Sequence, residues 1–113
     1  MLAMLQIMRL IKDIEELINE GKIVRAEKKI PEVALRFVDQ IERSELSERQ
    51  IDQTSDRFFV LFDIQLRKRI FPSEIGELLE RCFSLHAFVN GKKAFQGSKE
   101  FWEEVARIKY LAQ

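Results

Sequence analysis

A chain of 113 residues, 46% hydrophobic and 34% charged, is long enough for one self-sufficient core and too apolar for disorder. Its 19 basic and 19 acidic residues cancel, which argues against the basic excess of a dedicated nucleic-acid binder. A single cysteine leaves no disulfide to form within the sequence and suits the reducing cytoplasm, and no apolar run approaches the ~20 residues of a membrane span.

In chain order, the first predicted helix runs from about Leu2 to Glu20. Met4, Ile7, Leu10, Ile11, Ile14, Leu17 and Ile18 share one face at helical spacing, and Gly21 stands where a left-handed residue would end the element. Met1 to Ile11 has no basic segment before it and is broken by Arg9, with further charge from Lys12, so it reads as an amphipathic helix and not as a secretory leader. Met4 and Met8 are alternative starts.

A second helical segment spans about Lys22 to Arg43. Pro31 interrupts it, yet Ile23, Ala26, Ile30, Val33, Ala34, Phe37, Val38 and Ile41 keep one phase across the proline. Two helices, the later one with Pro31 at its first position, would fit; the unbroken phase favours one kinked helix.

The third helix, to about Arg69, carries the strongest start signal. Ser47 and Gln50 can close a capping box, and Leu46 and Ile51 a hydrophobic staple. Its middle, Phe58 to Phe62, is apolar nearly all round, which predicts a buried central helix. Pro72 and Ser73 separate it from a fourth helix, about Glu74 to Val89, with Ile75, Leu78, Leu79, Cys82, Leu85, His86 and Val89 on its stripe. Asn90-Gly91 is a stop signal, and a polar loop to Ser98 holds Lys92, Lys93 and Phe95. The last helix, about Lys99 to Leu111, starts behind Ser98 and turns Phe101, Val105, Ile108 and Leu111 inward. No strand pattern, repeat or linker appears. The expectation is one all-α domain over residues 1–113, a compact bundle of about five helices with a central third helix.

Candidate chemistry is sparse. Cys82 and His86 are four apart on one helix face, as metal ligands or a nucleophilic dyad would be. They are the only Cys and His, both lie in the apolar stripe, and a zinc site needs three or four protein ligands, so core roles are expected for both. Asp63 interrupts an apolar stretch but has Arg67 one turn on as an ion-pair partner. The triplet Arg67, Lys68 and Arg69 could touch phosphates, or simply complement the negative end of its helix.

Ser73 to Leu79 resembles the first helix of helix-turn-helix DNA-binding domains, over those seven residues. That family places a tight turn and a polar recognition helix next, whereas here the apolar segment Arg81 to Val89 follows. Gly21 to Ala26 resembles the turn of a tetratricopeptide hairpin, but the repeat of about 34 residues is absent and nothing is carried over from it.

The surplus of apolar surface is the more informative feature. Leu2, Leu5 and Met8 widen the apolar face of the first helix, and Val24, Leu35 and Phe88 lie off the stripes of theirs. Such residues must be covered by the fold or exposed as patches for a partner. Glu15, Glu16 and Glu20 on the first helix disfavour an anionic membrane as that partner. The sequence thus predicts a small cytoplasmic interaction or accessory protein, self-associating or bound to another protein, without catalytic activity, cofactor or metal. The alternative is a nucleic-acid-binding or transcription-associated domain using Arg67, Lys68 and Arg69.

Overall fold

A computed structural model describes residues 2–89 and 98–113. Its helices are α1 (Leu2–Asn19), α2 (Ile23–Glu42), α3 (Glu48–Lys68), α4 (Ser73–Ser84), the single turn α5 (His86–Val89) and α6 (Lys99–Ala112). This is the expected all-α bundle of five long helical segments, with the fourth broken once. The stop expected at Asn90-Gly91 and the loop residues Lys92, Lys93 and Phe95 lie outside the described residues.

The connections follow from local backbone chemistry. Gly21 adopts φ +76°. Its N–H and that of Lys22 donate to the carbonyls of Ile18 (3.0 Å) and Leu17 (2.8 Å), which satisfies the orphan carbonyls of α1 in a Schellman motif. The same device ends α2: Glu45 N–H reaches the Gln40 carbonyl at 2.9 Å and Ser44 N–H that of Ile41 at 3.1 Å. Here Ser44, with φ 59°, takes the left-handed position that glycine fills more cheaply. The start of α3 is the predicted capping box, with Gln50 N–H donating to Ser47 Oγ (3.2 Å) and Ser47 N–H to Gln50 Oε1 (2.9 Å). Leu46 and Ile51, the two staple residues, are both buried. At α6, Ser98 Oγ accepts from Phe101 N–H at 3.2 Å.

Pro31 lies inside one continuous helix, α2. The helix forgoes the bond to the Glu27 carbonyl, a cost of about 3 kcal/mol. Burial of Ile30, Val33, Ala34, Phe37 and Val38 on the unbroken apolar face offsets it, at roughly 1.5–3 kcal/mol for each large side chain.

Packing partners define two layers. In one, α2 lies between α1 and α6; in the other, α3 lies beside α4, with α3 against α1 and α4 across α2 and α6. The layers meet where Phe37 of α2 and Phe58 of α3 stack with ring centres 5.3 Å apart. Ion pairs tie the same elements: Arg57 to Glu15 (3.0 Å), Arg81 to Glu104 (3.0 Å) and Lys109 to Glu42 (3.0 Å).

Two details depart from the sequence expectation. The fourth helix breaks at Leu85, where Ser84 Oγ donates to the Arg81 carbonyl at 2.7 Å and competes with the helical ladder. And α3 is not covered on every side: Phe58 and Leu61 are fully buried, Val60 and Phe62 only partly, and Phe59 is 42% exposed. A helix in the second of two layers has only one layer beneath it, so its far edge faces water.

The chain between α3 and α4 is held by one side chain. Gln65, buried at the end of α3, donates through Nε2 to the Phe71 carbonyl (2.7 Å) and accepts at Oε1 from Phe71 N–H (2.8 Å). A Cβ on Gly76 would meet Gln65 Cγ at 3.3 Å, so the bare glycine lets α4 lie close against this carboxamide. Arg69, at φ 49°, turns the backbone between the two helices.

Candidate interaction surface

The residues expected to form a partner surface do not make one surface. Leu35 and Phe88 pack against the core, and the Phe88 ring meets Phe101 edge-on at 5.7 Å. Met8 is half-buried. Leu2, Leu5 and Val24 remain exposed, at 70%, 52% and 67%. α1 is 18 residues long, about 25 Å at the helical rise. Because α2 returns antiparallel beside it, Val24 lies at the opposite end from Leu2 and Leu5, and the three do not form a patch.

A contiguous apolar surface occurs instead where α3 runs beside α4. Phe59, Phe62 and Leu66 follow at i, i+3 and i+7, the spacing of a stripe along one helix edge. Phe83 of α4 stands across from it, its ring centre 4.9 Å from that of Phe59 and 6.4 Å from that of Phe62. His86 stacks on Phe83 with ring centres 4.4 Å apart. Its Nδ1 lies 2.9 Å from the Phe83 carbonyl, which can only accept, so Nδ1 carries the proton. Beyond Phe62 the stripe opens into a groove of ≈ 480 Å³ with Leu66 and Phe71 on one wall and Gly76, Glu77 and Glu80 on the other. Leu66 is 57% exposed at its mouth. Gly76 deepens the groove because it presents no side chain there.

Charge borders this surface on both edges. On α3, Asp56 and Asp63 flank Phe59 at one turn before and after; Asp63 pairs with Arg67 at 3.0 Å. On α4, Glu77 pairs with Arg81 at 3.2 Å while Arg81 also binds Glu104. The hydrogen bond to Glu104, foremost, holds the Arg81 guanidinium above its ordinary pKa. Arg69 lines the far end of the groove.

The basic triplet is exposed at the end of α3, with Arg67 engaged by Asp63 and Arg69 lining the groove. Cys82 is fully buried, and that burial pushes its thiol far above the ordinary range, so it is held neutral. Among the described residues no group of three or more His, Cys, Asp and Glu is placed to hold a metal, and no helix is long and apolar enough to cross a membrane. A second, polar trough of ≈ 690 Å³ runs over the outer side of α2 between Gln6 of α1 and Lys109 of α6. Gln40 lies in it with its buried Oε1 unpartnered.

The α3–α4 surface is masked in the sequence because Phe58 to Phe62 is apolar nearly all round, the pattern of a run buried in the core. The signal was present as the i, i+3, i+7 set Phe59, Phe62 and Leu66, set off from the core set Phe58, Leu61 and Gln65. No protein-family model, curated protein or solved structure matches the chain. Its functional reading therefore rests on this geometry.

Proposed function

We propose that this chain is a cytoplasmic protein-interaction module, without catalytic activity, that receives a helix of a partner protein in the groove between α3 and α4. One observation carries the reading: Phe59, Phe62 and Leu66 line an α3 edge at helical spacing, with Phe83 alongside, and the two ends of that edge are left open to solvent. Exposed aromatic side chains bring large buried area at small entropic cost, which makes them the usual anchors of an interface. Helix-in-groove recognition reads such a stripe through apolar anchors at i, i+3, i+4 and i+7 of the ligand. The buried, neutral thiol of Cys82 is compatible with a reducing compartment.

The reading is tested by selecting binders from a displayed library of randomised amphipathic helices on the parent protein. Binding is then compared on a Phe59→Ser, Leu66→Ser variant and on a Val24→Ser control. The expected binders share an apolar i, i+3, i+4, i+7 pattern, tolerate the control and lose the double variant. Binders indifferent to Phe59 and Leu66 would refute it. Light scattering of the parent and the double variant distinguishes a second copy as occupant: a dimer that the double variant dissolves would mean that the groove serves self-association. The alternative use of Arg67, Lys68 and Arg69 on nucleic acid has weaker support, since Arg67 is engaged by Asp63 and the sequence carries no basic excess.

A further inference from the structure

We infer that the helix taken by the α3–α4 groove is a basic one, with its Lys or Arg residues set along both borders of its apolar face. This rests on the groove being a helix-binding site, and adds the chemistry of what binds. Each edge of the surface presents two carboxylates to one guanidinium: Asp56 and Asp63 with Arg67 on α3, Glu77 and Glu80 with Arg81 on α4. The second guanidinium is further shared with Glu104, at 3.0 Å, so α4 has less positive charge to spare than its sequence suggests. Asp56 and Glu80 have no ion-pair or hydrogen-bond partner among the described residues. A ligand that buried the intervening rings would bring its own flanking side chains over these two carboxylates. Cations there gain attraction, and carboxylates would be repelled.

The ends of the groove are not equivalent. Arg69 closes the Leu66 end, while Asp56 lies beyond Phe59 at the other. A helix C-terminus carries partial negative charge and an N-terminus partial positive charge. The favoured orientation places the ligand's C-terminal end beside Arg69 and its basic residues alongside Asp56 and Glu80. From Phe59 to Leu66 the stripe is about 10 Å long at the helical rise, so two turns of ligand fill it.

The test uses three synthetic peptides of about 18 residues, a length that sustains helix when stabilised by flanking pairs. One carries an apolar i, i+3, i+4, i+7 face bordered by Lys, the second the same face bordered by Glu, and the third the Lys borders with the apolar face changed to Ser. Fluorescence anisotropy follows binding to the whole chain. At roughly 0.05 M salt the Lys-bordered peptide should bind about tenfold tighter than the Glu-bordered one, and at about 0.5 M the gap should close to about twofold as screening shortens the reach of charge. The Ser-faced peptide should not bind. Replacing both free carboxylates, Asp56→Asn with Glu80→Gln, should weaken the Lys-bordered peptide about fivefold and leave the Glu-bordered one no weaker. Denaturation midpoints of the variant confirm that it folds; the two single variants give the same sign at smaller size should the double one not fold.

Equal affinity for the Lys- and Glu-bordered peptides, both lost in Phe59→Ser, Leu66→Ser, would overturn the basic-ligand inference and leave the groove as a helix-binding site. Binding by neither peptide would overturn both. Equal binding of the Ser-faced and Lys-bordered peptides would show a charge effect without the groove, and would likewise overturn the inference.

Discussion

Replacing Gln65 by Leu removes the one side chain that bonds both backbone groups of Phe71. Phe71 is 5% exposed, and the distances of 2.7 and 2.8 Å describe a closed pair of hydrogen bonds. The variant leaves a buried N–H and a buried C=O without partners, at about 1–3 kcal/mol each. Leucine returns roughly 1 kcal/mol by burying apolar surface in place of the carboxamide. The expected net loss is about 1–5 kcal/mol, a large share of the stability of a domain this size. Urea denaturation followed by far-UV circular dichroism measures it, and an unchanged slope with denaturant would show that only stability has changed. A Gln65→Glu variant adds a check on mechanism. As a carboxylate it aims negative charge at the Phe71 carbonyl, whereas in acid its protonated form can donate there as Nε2 does. Its deficit relative to the parent should therefore shrink on going from neutral pH to pH below about 4, the ordinary range for Glu. A loss below about 1 kcal/mol for Gln65→Leu would refute the tie as a determinant of the α3–α4 junction.

Ser44→Gly should stabilise the protein by about 0.5–1 kcal/mol, because φ 59° strains any residue with a Cβ; a lower denaturation midpoint would count against that cause. Phe58→Ala should cost about 3–5 kcal/mol and Phe59→Ala less than about 1 kcal/mol, since the first ring is fully buried and the second sits at the surface; equal losses in urea melts would show the edge to be covered. Thr54→Val should be neutral or stabilising by up to about 1 kcal/mol, for it removes a buried hydroxyl that has no hydrogen-bond partner. Burial raises the Cys82 thiol, so the folded chain keeps its proton while the unfolded chain releases it near pH 8.5. The stability held by the neutral thiol is present below that pH and erodes above it by up to about 1.4 kcal/mol per pH unit. Denaturation of the parent and of Cys82→Ala from pH 7 to 10 should show the steeper decline in the parent, and parallel slopes would contradict it.

The parts of the fold that were legible in the sequence are those decided within a few residues. Ser47 with Gln50, Ser98, and Gly21 each satisfy helix-end groups three or four positions away, so their chemistry can be read directly. The Asp63–Arg67 and Glu77–Arg81 pairs are similarly local. Even Pro31 was readable, because the apolar phase on either side of it already required one face. The left-handed residues Ser44 and Arg69 were hidden for the opposite reason: helix ends favour Gly or Asn there, and neither residue advertises the conformation. Gln65 was hidden because its partner is a backbone, and a backbone has no sequence signature.

The surface was less legible because one helix serves two purposes with one composition. Phe58 and Phe59 are adjacent and chemically identical, yet one is in the core and the other at an open edge. Hydrophobicity alone cannot separate them; their phase along the helix and the way the other helices pack on it do. Once α4 is placed by Gly76 against Gln65, α3 is divided into an edge that the layers bury and an edge that they cannot reach. Leu35 and Phe88 are partly buried against the core, and Leu2 and Val24 stand isolated at opposite ends of the α1–α2 pair. Apolar excess in the sequence is therefore real but differently distributed: Leu2, Leu5 and Val24 stay exposed as separate residues, and the contiguous stretch lies on α3. On α3, apolar side chains stay at the surface where their neighbours run out: Phe59 and Leu66, where a two-layer bundle has no third layer to offer.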